Sequence, residues 1–185
     1  MKPLFVLLAT ALTMPAQEWS APVHVLHELK PCVTYRAKLV GSHLIIEAAV
    51  QPGWHTFTMD NEKRASEKLA GKPSLGVDQP TRFELTGGLE PSGWFQSEPR
   101  DFSKPQLRWF SWGYEGKAVF ATKVTRAAGA SGPAQIGIRG QACTDKTCRN
   151  IDLTLELPLP APSAATADPE EVKGLIAVRQ QDVQN

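Results

Sequence analysis

The sequence predicts an all-β protein, an immunoglobulin-like β-sandwich with a short C-terminal amphipathic helix or tail. Three observations carry that prediction. Apolar and polar residues alternate with period two over most of the chain after residue 30. Turn formers are dense: 15 prolines and 14 glycines suit short strands joined by turns and do not suit a helix bundle. Finally, 185 residues with 42% hydrophobic content are enough to bury one domain core.

Taken in order, residues 1–16 read as a signal peptide. Lys2 supplies the positive start, and Leu4 to Leu12 is an apolar run far shorter than the roughly 20 residues a spanning helix needs. A single immunoglobulin-like domain is expected at 17–158. Strands are expected at 32–39 and 43–50 across the Gly41-Ser42 turn, and at 54–58 after Pro52-Gly53. Asn61 is placed to cap a short helix through Glu62–Leu69, stopped by Gly71 and Pro73. Strands resume at 81–85, Gln106 to Trp112, 117–125, 134–142 and 149–157. In the last, Ile151, Leu153, Leu155 and Leu157 alternate with Asp152, Thr154 and Glu156. Residues 159–185 read as a Pro/Ala-rich linker followed by a helix near 169–182, with Asp168 as its cap and Pro169 at its first position.

Charge narrows the function. Lys+Arg is 20 and Asp+Glu is 19, so there is no basic excess to displace counterions from a nucleic acid. After the leader no apolar segment of spanning length follows, and an exported protein is expected.

Export permits disulfides, and the chain has three cysteines: Cys32, Cys143 and Cys148. The flanking strands make Cys143–Cys148 the expected bond, at the base of a four-residue connection, and leave Cys32 free. Closing so small a ring constrains the unfolded chain by only about 2 kcal/mol in the chain-entropy treatment. That weak staple is local and suits a bond that cycles, yet a structural hairpin bond in a non-catalytic binding module remains the alternative reading. Other chemistries fit less well. Thioredoxin-type motifs put two residues between the cysteines, zinc needs four ligands, and blue copper needs a His shortly after its Cys, whereas the last His is His55. No bound cofactor is expected. His24, His27, His43 and His55 read as surface or turn residues, with His55 alternatively lining the site through its Gly-Trp-His turn.

Several segments occur in the order of one known family: Gly53-Trp54-His55-Thr56-Phe57, Pro80-Thr81, Tyr114-Glu115-Gly116-Lys117 with Phe120, and Gln141-Ala142-Cys143 through Cys148. Over roughly residues 30–158 the chain resembles the N-terminal periplasmic domain of the thiol:disulfide interchange protein DsbD. The resemblance implies an immunoglobulin-like domain that shuttles reducing equivalents through Cys143 and Cys148. Cys148 would form the mixed disulfide with partners and Cys143 would resolve it. It also implies a cap loop around Trp112, Tyr114 and Glu115, with Tyr114 shielding the bond. The implied partners are thioredoxin-like proteins or domains, namely a periplasmic disulfide isomerase or a thioredoxin-like protein of cytochrome c maturation. The electron donor would be a separate membrane-embedded protein. Two departures stand out: four residues rather than five separate the cysteines, and Arg149-Asn150 replaces the family's aromatic-proline stretch.

Overall fold

The computed structural model describes residues 18–70, 72, 78–130, 132–159 and 168–179. The expected leader at 1–16 and most of the expected linker lie outside them. Two sheets pack face to face. The first runs β1 (Val23–His27), β2 (Lys30–Val40), β3 (His43–Val50), β9 (Lys117–Arg126), β6 (Leu89–Gln96) and β12 (Ile176–Ala177) in spatial order. The second runs β11 (Cys148–Leu157), β10 (Ala134–Cys143), β4 (His55–Phe57), β8 (Trp112–Tyr114) and β7 (Arg100–Asp101), with β5 (Arg82–Thr86) also pairing β10. Every pairing among these strands is antiparallel.

The period-two pattern places the core. On β2, Val33, Tyr35, Ala37 and Leu39 point inward, opposed by Ile136, Ile138, Ile151 and Leu155 from the second sheet. Burying these side chains at roughly 25 cal/mol per Å² is the main stabilising contribution of the sandwich.

Helix α1 spans Asn61–Lys68, and its N-cap is Asp60, one residue before the expected Asn61. Asn61 instead uses its side-chain oxygen to accept the Trp112 backbone N–H at 2.8 Å.

Two expected elements are corrected. The strand expected at Gln106 to Trp112 is not formed: Pro105–Leu107 is a 3₁₀ turn ended by Arg108 at φ 52°, and extended structure starts only at Trp112. Pro105 has no N–H to give a ladder, and the turn reverses the chain so that Lys104 bridges back to Trp109. The C-terminal helix expected near 169–182 is likewise absent from the described part of that segment. Glu170–Val172 makes one 3₁₀ turn, and Gly174 at φ 77° then turns the chain out of any helix. Ile176–Ala177 docks as β12 on β6, so the tail is a strap.

The strap is tied to α1. The Asp60 carboxylate accepts Arg64 Nε at 2.8 Å, Gln96 Nε2 at 2.7 Å and the Arg179 backbone N–H at 3.1 Å. Among the described residues no helix is long and apolar enough to cross a membrane.

Candidate functional site

The β10–β11 hairpin builds the site. In β10 the even-numbered residues Ala134, Ile136, Ile138 and Ala142 face the core, and in β11 the odd-numbered Ile151, Leu155 and Leu157 do. Cys143 and Cys148 therefore fall in the opposite register and lie on the outward face of the sheet. They are direct cross-strand partners, bonded at S–S 2.07 Å with Cα atoms 4.0 Å apart. The four-residue turn beyond them is held by its own threonines. Thr144 N–H donates to the Thr147 carbonyl at 2.8 Å, and Thr144 Oγ1 accepts the Lys146 and Thr147 N–H groups, both at 3.1 Å.

The two sulfur-bearing residues differ in access. Cys143 is 3% exposed, whereas Cys148, on the end strand of its sheet, is exposed. On the Cys143 side the neighbouring strand is β4, and the residue in register is His55. Its ring stacks on Phe102 with centroids 4.8 Å apart and meets the edge of Phe57 at 5.4 Å. Arg100 lies over the Phe102 ring at 5.7 Å and forms an ion pair with Glu115. Burial pushes the His55 imidazole below its usual basicity, against the opposing pull of Asp78, Glu115 and Asp145.

On the Cys148 side a groove of about 550 Å³ opens between the hairpin and β1, lined by Cys148, Arg149, Asn150, His24 and Leu26 among others. Arg149 Nε donates to His27 Nδ1 at 2.8 Å, and the His27 ring meets Trp54 edge-on at 5.1 Å. The Gly-Trp-His turn thus serves both sides of the bond, Trp54 through His27 and His55 through Cys143. Arg139, four residues before Cys143, is engaged with Asp152 at 2.8 Å.

The structure separates the expected cap residues. Tyr114 is in register with Thr56, one step along β4 from His55, and so faces the core. It is 3% exposed, its ring meets Phe120 edge-on at 5.5 Å, and its hydroxyl donates to the Ser97 carbonyl at 3.1 Å. Trp112 is buried beside α1. Glu115 reaches the outward face, through Arg100. Between them Gly113 is required by close approach, since a Cβ there would sit 2.0 Å from the Thr56 carbonyl oxygen. Phe102 had no signal in the sequence: it lies in a stretch without periodicity, immediately after a two-residue strand.

Cys32 is a free cysteine, 1% exposed, with its Sγ donating to the Val25 carbonyl at 3.3 Å. Among the described residues no three His, Cys, Asp or Glu side chains gather as a metal site.

No protein-family model and no curated protein matches the chain. Among solved structures it is similar to the N-terminal periplasmic domain of ScsB from Proteus mirabilis, with a TM-score of 0.53 at 16% identity. The fold is of that kind. The match covers 81% of this chain and 55% of that one, so the chain corresponds to just over half the ScsB domain's length. A second similar structure is the reduced N-terminal domain of DsbD from Neisseria meningitidis, with a TM-score of 0.46 at 11% identity, covering 70% of this chain and 87% of that one. At 16% identity the likeness to the ScsB domain is one of fold, an all-β sandwich.

Proposed function

We propose that this chain is an exported thiol–disulfide interchange module, acting in the periplasm through Cys143 and Cys148. The observation that carries the reading is the unequal access to the two sulfurs of one local bond. Exchange proceeds by in-line attack of a thiolate on one sulfur, and only the exposed one admits a partner. An incoming partner thiolate attacks Cys148 Sγ and forms a mixed disulfide, while Cys143 leaves as a thiolate and takes a proton. The partner's second thiolate then attacks its own sulfur in the mixed disulfide and releases Cys148. The partner dithiol loses two electrons and the Cys143–Cys148 bond gains them; the reverse sequence passes them on.

Thioredoxin-like proteins or domains are the partner class, since they present an exposed dithiol. A membrane-embedded donor would supply the electrons, and a periplasmic disulfide isomerase or a thioredoxin-like protein of cytochrome c maturation would be the acceptor. In this reading the cap is the segment carrying Phe102, latched by Glu115 to Arg100, with Trp112 and Tyr114 anchoring it in the core. Titration against glutathione or dithiothreitol tests the function. An exchange module has a reduction potential well above about −300 mV, and a value below that marks a structural staple.

A further inference from the structure

We infer that the His55 imidazole is the acid–base partner of Cys143, taking the proton from its thiol when Cys143 resolves a mixed disulfide on Cys148. This rests on the exchange reading above and adds the proton's path to it. The juxtaposition comes from strand register. Cys143 and His55 are direct partners across β10 and β4. Directly opposed side chains share a face, with Cβ atoms roughly 4.5–5.5 Å apart. An imidazole spans that gap to a neighbouring sulfur. Cys143 is 3% exposed, so water has little access to its sulfur and a protein group must carry the proton. His55 is the titratable side chain in register beside it, and stacking on Phe102 at 4.8 Å restricts its ring.

The step balances. With the partner's sulfur bonded to Cys148, His55 accepts the Cys143 thiol proton and the resulting thiolate attacks Cys148 Sγ. The Cys143–Cys148 bond forms and the Cys148–partner bond breaks. The partner leaves as a thiolate carrying the electron pair, reduced by the two electrons that the protein's dithiol has lost. In the opposite direction the imidazolium returns the proton to departing Cys143.

The surroundings of His55 suit a base that is neutral at pH 7. Its ring is desolvated, which holds it below the ordinary imidazole value of 6.5. Three carboxylates oppose that shift, Asp78, Glu115 and Asp145 in the disulfide turn, and Lys104 reinforces it. Arg100 is engaged by Glu115 and lies over the far ring of the Phe102 stack. A neutral base accepts the proton without first losing one of its own.

The test is stopped-flow reaction of the reduced full chain with 5,5′-dithiobis(2-nitrobenzoate). The first thionitrobenzoate release reports attack by Cys148. The second reports resolution by Cys143. For the parent, the second phase should rise with pH through an inflection below 6.5 and then level. In His55→Gln the first phase should stay within about twofold. The second should slow roughly a hundredfold at pH 7, at the low end of what a positioned base contributes, and lose its inflection. His55→Ala should regain the second phase on addition of free imidazole, which a merely structural defect would not do. A second phase in His55→Gln within about threefold of the parent, with the inflection kept, overturns the assignment while leaving exchange intact. A parent that releases no second equivalent overturns the exchange reading and this step together.

Discussion

Cys143 and Cys148 are joined by one bond and stand in register, yet Cys143 is 3% exposed and Cys148 is open to solvent. The difference comes from position in the sheet. β11 is an end strand, so among the described residues Cys148 has no strand beyond it, whereas β10 has β4 on its far side and places His55 against Cys143. An attacking thiolate therefore finds Cys148. The expected outcome is that Cys143→Ala, reduced and mixed with an oxidised thioredoxin-like protein, accumulates a stable mixed disulfide through Cys148. Cys148→Ala should accumulate none. Non-reducing electrophoresis and peptide mass mapping read both, and equal trapping by the two variants would remove the asymmetry as an explanation.

Tyr114 is bound to the core by its ring against Phe120 and by its hydroxyl on Ser97. Tyr114→Phe should cost about 1 kcal/mol, the net worth of one hydrogen bond. Tyr114→Ala should cost about 3–5 kcal/mol, as for other large aromatics truncated in a core. Phe102, half-buried on the outward face, is the contrasting position. Phe102→Ala should cost less than about 1.5 kcal/mol and should speed alkylation of reduced Cys143. Chemical denaturation and iodoacetamide kinetics separate the two. A Tyr114→Ala protein with parental stability and a faster-reacting Cys143 would return the shielding role to Tyr114.

The hairpin that carries the cysteines was legible because alternation is a direct record of which face is buried. Ile151, Leu153, Leu155 and Leu157 mark the core face of β11, and counting back by twos from them leaves Cys148 with Asn150 and Asp152 on the other. The pairing of β4 with β10, which brings His55 to Cys143, joins residues 88 positions apart, and no local pattern encodes it. β6 was missed because Pro91 and Gly93 interrupt it. The ladder tolerates them through a bulge between Ser92 and Trp94, and because β12 pairs only with Phe95 and Gln96. The C-terminal strap was misread for a related reason: the spacing of Val172, Leu175 and Ile176 imitates one helical face, and the positive φ of Gly174 decides against it.

Cys32 is separated from the exchanging pair by burial. It is 1% exposed, its thiol donates to the Val25 carbonyl, and desolvation raises it above its ordinary ionisation range despite backbone hydrogen bonds and Arg149. Reduced protein at pH 8 should therefore alkylate rapidly at Cys148 and negligibly at Cys32, with Cys32 reacting only after unfolding in guanidinium. Native-state labelling of Cys32 within minutes, read by mass spectrometry, would show that β1 opens far more often than its pairing with β2 implies.

Asp60 should give the fold an acid limit. Burial alone would raise its carboxyl, but hydrogen bonds from Arg64, Gln96 and the Arg179 backbone outweigh that and hold it below its usual value of 3.8. Glu47, bonded by Lys117 and Arg36, is lowered in the same way. A carboxyl depressed in the folded state binds fewer protons than the unfolded chain does, so its stabilisation is complete above the ordinary carboxylate range and fades as pH falls through the folded value. Stability should then be level from about pH 5 upward and decline below about pH 4. Asp60→Asn should remove about 3–5 kcal/mol at pH 7, because Arg64, itself buried, loses its counter-charge. The same substitution should flatten the acid slope and loosen the strap at Arg179. Denaturation at several pH values measures the first two effects, and amide hydrogen exchange at Val178 and Arg179 measures the third. An Asp60→Asn protein that keeps both the parental acid slope and the parental protection at Arg179 would show that this buried carboxylate does not hold the strap.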